Sequence, residues 1–189
     1  MSPTDDRLQK FATLLLRWNK TLNLIAAKDA ARIRDRHIAD SLQLIPLMPP
    51  GLSRAIDLGT GGGFPGLVLA IATGLPFDLI ESDQRKASFL RTAILETNAP
   101  ATVHCHRIED APIPPADLIT ARALAPLPRL LPWAARLLTP DGICLFLKGA
   151  KAEEELTAAQ TDWTMNVDRT PSQTNADGVV LRIAGLRAR

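Results

Sequence analysis

Ten residues, Asp57-Leu58-Gly59-Thr60-Gly61-Gly62-Gly63-Phe64-Pro65-Gly66, constrain the fold of this 189-residue chain more than any others. They follow a short apolar run, Ala55–Leu58, and lead into another, Leu67–Thr73. Glycine reaches positive φ and lets a second group approach the backbone closely. Strand, glycine-rich turn and helix in that order open an α/β unit whose turn faces a ligand. Gly61, Gly63 and Gly66 also fit the G-x-G-x-x-G spacing of dinucleotide sites, a weak pattern by itself.

The rest of the chain is consistent with that beginning. Residues 1–50 lack strand-like runs. Phe11, Leu14, Leu15, Trp18 and Leu22 recur at helical spacing, and a second helix is expected over Asp29–Leu47, ended by Pro46, Pro49, Pro50 and Gly51. From residue 54 strands and helices alternate. Strands are expected at 55–58, 77–81, 101–106, 118–121 and 143–147, and helices at 67–73, 84–96, 127–138 and 153–160. Residues 163–167 and 179–184 read as closing strands, an antiparallel pair. This pattern predicts a doubly wound, mostly parallel sheet with its last strand antiparallel. Residues 1–50 form a helical cap within the same domain, and 51–189 form the core.

Sheets of this kind bind ligands beyond the carboxyl ends of their strands. Glu81 ends the second strand, where a carboxylate can accept both hydroxyls of a ribose. Asp57 stands just before the turn, where its charge suits an ammonium better than a pyrophosphate. The Asp57 charge favours a nucleoside carrying a methionine moiety over a dinucleotide. No residues remain for the separate substrate domain that most dehydrogenases carry.

Charge and cysteine content set further bounds. A net charge of +2 does not by itself announce a nucleic-acid partner. Two basic segments, 32–37 and 182–189, are candidates for a phosphate-facing surface and equally for solvated faces. Cys105 and Cys144 sit in apolar strand-like runs and read as buried free thiols. No apolar run approaches the roughly 18 residues of a membrane span, and no basic stretch followed by an apolar one opens the chain. A cytoplasmic monomer without membrane contact is expected.

Several segments resemble the bacterial ribosomal RNA small subunit methyltransferase G family, formerly glucose-inhibited division protein B. They are Trp18-Asn19 with Asn23-Leu24, Arg36–Leu42, Asp57–Gly66, Glu81-Ser82-Asp83, Lys86 with Phe89-Leu90, Arg107-Ile108-Glu109, Arg122-Ala123 and Lys148-Gly149. The resemblance implies a class I S-adenosylmethionine-dependent methyltransferase fold with N-terminal helices. It implies methyl transfer to N7 of one guanine in 16S ribosomal RNA near the decoding region, on RNA, small subunit or assembly intermediate. S-adenosylhomocysteine would be the product, and no metal is expected. The implied donor contacts are Gly59, Phe64, Ile108, Glu109 and Arg122, beside the Asp57, Gly61, Gly63 and Glu81 already singled out.

Guanine N7 carries a lone pair and no proton, so its methylation needs no base. Arg122 is then the one expected catalytic residue, through positioning. Rival transfers leave marks that are missing. Pyrimidine C5 methylation needs a cysteine nucleophile. Exocyclic amine methylation goes with an Asn/Asp-Pro-Pro-aromatic run where this chain has Thr120-Ala121-Arg122-Ala123. Ribose methylation wants a lysine-centred base, and Arg122 keeps its proton.

Four residues are expected on the substrate side: His37, Asp40, Ser41 and Lys148. The first three share a helix face if the helix is regular, either as a lid wall or as a cluster fastening the cap. Lys148 suits an RNA phosphate or a snorkelling edge position. Without an ion pair to Glu109 or Asp117, Arg122 is free to hold a phosphate or the guanine's Hoogsteen-edge oxygen. His104 and His106 alternate on an expected strand and could be mistaken for a metal pair, but no third ligand lies at usable spacing.

Overall fold

The computed structural model describes residues 2–189. Seven strands form one sheet in the order β3-β2-β1-β4-β5-β7-β6. They are β1 (Ala55–Leu58), β2 (Phe77–Ile80), β3 (Ala101–His104), β4 (Ala116–Arg122), β5 (Leu138–Lys148), β6 (Trp163–Pro171) and β7 (Val179–Ala188). The first five pair in parallel, and β7 runs antiparallel to both β5 and β6. Strand order reverses between β1 and β4, which opens a crevice above their carboxyl ends.

Side chains alternate across each strand, so the sheet divides its apolar residues between two cores. Ile143, Leu145 and Leu147 face one side with α1 (Pro3–Leu22), α3 (Gly66–Thr73) and α4 (Gln84–Thr97). Cys144 and Phe146 face the other, with α5 (Leu127–Leu137) and α6 (Ala152–Ala159). Leu8, Phe11 and Leu15 of α1 share the first core with Phe64, Leu67 and Phe89, so residues of the cap and of the sheet layer bury one another. Trp18 belongs to this packing, its ring 5.8 Å from that of Phe89.

Helix starts follow local chemistry. Ser2 and Asp5 form a reciprocal capping box on α1. Asp83 caps α4 by accepting the Arg85 and Lys86 N–H groups, and those bonds hold its carboxyl below the usual range.

Three expectations need correction. The single helix over 29–47 is instead a 3-10 turn (Ala27–Arg32), a π turn (Arg34–Ile38), a short α2 (Ala39–Leu42) and a 3-10 turn (Ile45–Leu47). In the π turn the Ala39 N–H reaches back five residues to the Arg34 carbonyl, which rotates α2 relative to its place in a regular helix. The third strand ends at His104, so Cys105 and His106 lie beyond it. Residues 182–188 belong to β7, whose antiparallel course carries Arg187 and the following Arg189 away from the carboxyl ends of the parallel strands.

Candidate active site

The glycine turn is held from beneath by Asp57. This residue is fully buried, with Oδ1 accepting from the Thr120 hydroxyl at 2.7 Å and Oδ2 from the Gly66 N–H at 3.0 Å. Burial pushes its carboxyl up to about 6. A Cβ on Gly66 would stand 2.5 Å from that of Asp57, so glycine is required for this close approach. Asp57 therefore organises the turn from the core. Its side chain braces the turn from beneath and does not line the cavity above it. Gly63 likewise lies against Leu67 and Phe11, behind the wall.

Above the turn is a cavity of about 600 Å³. Gly59, Gly61, Phe64, Glu81, Ile108, Glu109 and Arg122 all line it. Glu81 is buried. Its Oε2 accepts the Gly61 N–H at 3.0 Å and its Oε1 the Asp83 N–H at 2.8 Å, which ties the ends of β1 and β2 together. Gly61 has φ +57° and no atom within 3.9 Å of where a Cβ would stand, so its backbone is open to whatever fills the space.

A second cavity of about 560 Å³ adjoins the first. The two share His37, Arg122, Ala123, Leu124 and Ala125. Asp40 and Lys148 line the second cavity, together with residues of the β6–β7 turn. Ala123 has φ +50°, an uncommon backbone state for a residue with a Cβ. The chain thus turns sharply after Arg122 and lays Leu124 over Gly59.

Arg122 is held on the shared wall from three directions. One terminal nitrogen donates to Asp40 Oδ2 at 3.2 Å, and the other lies 2.7 Å from His37 Nδ1. Its guanidinium carbon sits 4.9 Å from the Phe64 ring centroid. The His37 ring packs on Phe64 as well, at 5.0 Å. Because arginine only donates, Nδ1 must accept and the proton must reside on Nε2. Burial, followed by the Arg122 charge, brings His37 down to about 4, so the ring is neutral at physiological pH. The ion partner of Arg122 is therefore Asp40, not Glu109 or Asp117.

Other expected residues are placed differently. Ser41 is fully buried, its hydroxyl donating to the His37 carbonyl, so it braces the π turn and faces neither cavity. Lys148 is 2.6 Å from Glu155 and donates to the Ala125 carbonyl, which ties the loop after β4 to α6. His104 pairs with Asp78 at 2.5 Å, while His106 lines the first cavity, so the two imidazoles do not share a site. Cys144 is buried in β5, where burial pushes its thiol up, and neither cysteine lines either cavity. Sequence reading missed His106, Gln43 and Thr174. His106 follows the carboxyl end of β3, a position that the strand pattern could have marked, whereas Gln43 and Thr174 acquire their positions through residues distant in the chain.

A model of the family described as rRNA small subunit methyltransferase G matches residues 4–178. The chain is 54% identical to the Ribosomal RNA small subunit methyltransferase G of Gluconobacter oxydans (strain 621H) over 184 residues, covering 97% of this chain and 95% of that protein. It is 57% identical to the protein of the same name from Acidiphilium cryptum (strain JF-5) over 183 residues, covering 95% and 84%. Among solved structures, an O-methyltransferase from Bacillus cereus in complex with SAH superposes with a TM-score of 0.62 at 17% identity, covering 92% of this chain and 90% of that one. A ribosomal protein L11 methylase from Lactobacillus delbrueckii subsp. bulgaricus gives 0.61 at 17% identity, covering 77% and 76%. At such identities the structural likeness is one of fold.

Proposed function

Because the chain belongs to the rRNA small subunit methyltransferase G family, we propose that it transfers a methyl group from S-adenosylmethionine to N7 of a specific guanine in 16S ribosomal RNA, near the decoding region. The observation that carries this reading is the pair of adjoining cavities with Arg122 on their common wall. One suits a nucleoside donor and the other a base brought out of its RNA.

The first cavity fits the donor by its chemistry. Glu81 is already oriented by two backbone N–H groups and offers a carboxylate to ribose hydroxyls. Ile108 and Phe64 give apolar wall for a purine and an aliphatic chain, and Gly61 leaves its backbone uncovered. When bound, the donor supplies a methyl group activated by a sulfonium. The protein's own work is alignment, which can supply roughly 7–11 kcal/mol when reactants are well oriented.

Arg122 uses two of its five N–H donors on Asp40 and His37. The remaining donors suit guanine O6, the acceptor beside N7 on the Hoogsteen edge. Neutral His37 holds Arg122 and removes no proton, since N7 has none. His37, Asp40 and Lys148 act on the substrate side in this reading, His37 and Asp40 by holding Arg122 and Lys148 by shaping the loop. Transfer would take place on the RNA or on an assembling small subunit, in the cytoplasm and by a monomer. No helix among the described residues is long and apolar enough to cross a membrane.

Mass mapping of methylated guanines in 16S RNA from cells with and without the gene tests the reading directly. One N7-methylguanine should disappear, and an unchanged map would overturn the proposal. Glu81→Ala should weaken S-adenosylhomocysteine binding at least about tenfold by calorimetry, the scale of a charged hydrogen bond. Undiminished binding would remove Glu81 from the donor site.

The basic segments separate in the same framework. Arg36 lines the second cavity and Arg32 is exposed near it in sequence, whereas Arg187 and Arg189 lie toward the amino ends of the parallel strands, away from the cavities. Replacing Arg32 and Arg36 by alanine should flatten the dependence of log RNA affinity on log salt by about 0.7–0.9 for each phosphate no longer neutralised. The Arg187/Arg189 double alanine variant should leave the slope unchanged. The reverse pattern would put RNA at the amino ends of the parallel strands.

A further inference from the structure

The turn between β6 and β7 reaches the site from the far end of the chain. Thr174 donates its hydroxyl to Asp40 Oδ1 at 2.6 Å, across 134 positions of sequence. Gln43, buried in the cap, donates to the same oxygen at 2.7 Å and accepts the Gln173 N–H at 2.8 Å. The Thr174 hydroxyl is itself 3.2 Å from that of Ser172. The other oxygen of Asp40 faces Arg122. Asp40 therefore divides its carboxylate between the C-terminal hairpin and the arginine.

A carboxylate is planar and rigid, so fixing one oxygen fixes the plane of the other. The side chains of Asp40 and Arg122 are only 14% and 18% exposed, and water competes weakly for their bond. Stacking on Phe64 and one bond to His37 leave a guanidinium free to turn within its own plane. The bond to Asp40 blocks that rotation, provided that Asp40 is itself held.

We propose that Thr174 is a positioning residue for methyl transfer: acting through Asp40, it sets the in-plane orientation of Arg122 on the wall between the two cavities. The hairpin turn thereby becomes part of the catalytic apparatus without touching the reacting atoms. This inference rests on the methyltransferase reading given above.

Thr174→Val keeps the shape and removes the donor, while Thr174→Ser restores it. At saturating RNA and donor, Thr174→Val should slow single-turnover methylation about fivefold to tenfold, the scale of one ordinary hydrogen bond, since Gln43 still donates to the same oxygen, with apparent RNA affinity little changed. Thr174→Ser should recover to within about twofold. In an Asp40→Ala background the Thr174→Val change should add nothing. A second readout does not need activity. The Arg122 Nη–H signals, assigned by their loss in Arg122→Lys, should be separate and slowly exchanging in the wild type and averaged in Thr174→Val.

A rate for Thr174→Val within twofold of wild type, failure of serine to rescue, or additivity with Asp40→Ala would each overturn the relay. Unchanged Arg122 signals would do so even in a protein that methylates no RNA. A wild type without guanine-N7 activity but with those signals averaged in Thr174→Val would instead support the relay and defeat the functional reading.

Discussion

Arg122→Ala is expected to lower the single-turnover methylation rate by about 100-fold or more, the usual scale for removing one well-placed donor from a site. Folding should suffer far less. Asp40 keeps Thr174 and Gln43 as partners, and the truncated side chain leaves its gap at a cavity wall and not in the core. A destabilisation of about 1–3 kcal/mol covers a part-buried carboxylate deprived of one charged partner. Arg122→Lys should also remain slow, because a lysine keeps the charge and loses the planar fork. A rate within threefold of wild type in Arg122→Ala would remove the residue from the mechanism.

The same cluster sets the pH behaviour. No base is required, so the wild-type rate at saturating RNA should be flat across the neutral range. The low-pH limb belongs to His37. Arg122, Asp29, Asp40 and Arg36 are the charged groups acting on this ring, and burial together with the Arg122 charge puts it at about 4. Its accepting, neutral form is present in full above the ordinary histidine value and disappears as pH falls through about 4. Between those limits His37 of the unfolded chain binds a proton that the folded chain refuses, so the His37 contribution to stability declines as pH drops through that window, while Asp57, raised to about 6, contributes with the opposite sign below that value. His37→Asn should remove the limb. A rate rising tenfold per pH unit through neutrality would indicate proton removal and a target atom other than N7.

The second large effect is expected at Gly66→Ala. The new methyl would lie 2.5 Å from Asp57 Cβ and 2.7 Å from Leu79 Cδ2, both fully buried and neither able to retreat into solvent. Relief requires α3 to move off β1, and that breaks the Gly66 N–H bond to the Asp57 carboxylate. Overpacking and the broken charged hydrogen bond together amount to about 3–5 kcal/mol, a large part of a typical domain's stability. Thermal midpoints should fall by about 6–20 °C, and S-adenosylhomocysteine binding should fail because the glycine turn loses its anchor. Gly74→Ala is the control. A Cβ there meets nothing, so only the cost of φ +77° applies, about 1 kcal/mol. Equal melting temperatures for the two variants would refute this account of the turn.

Much of the fold is legible before any coordinates. Short continuous apolar runs separated by helical ones specify a parallel sheet with two covered faces, and Ile143 through Leu147 divide between those faces as strand geometry requires. Glu81 and the glycine turn announce a ligand crevice because both sit at strand ends. Local rules fail where the chain departs from regular geometry. A π turn at Arg34–Ile38 looks helical in sequence, and beyond it Ser41 is buried with its hydroxyl on the His37 carbonyl while the His37 and Asp40 side chains line the cavity. The third strand is apolar through Cys105 but stops at His104, and His106 is carried into the cavity.

The character of each acid was the least accessible to sequence. Asp57 and Glu81 both end a strand, but Asp57 lies under the turn with its oxygens consumed by Thr120 and Gly66, while Glu81 borders the cavity. Both are buried, but Asp57 is shut off from the cavity because Gly66 brings α3 onto it, a contact that spans layers. Sequence by itself determined the sheet, the glycine turn and the residue types that end each strand, since these depend on period, propensity and local backbone freedom. Tertiary structure alone decided that Arg122 would be gripped by Asp40, His37 and Phe64, and that Thr174 would brace Asp40. Those partners are brought together by strand order and by the antiparallel course of β7, and no spacing along the chain encodes a contact made across three elements.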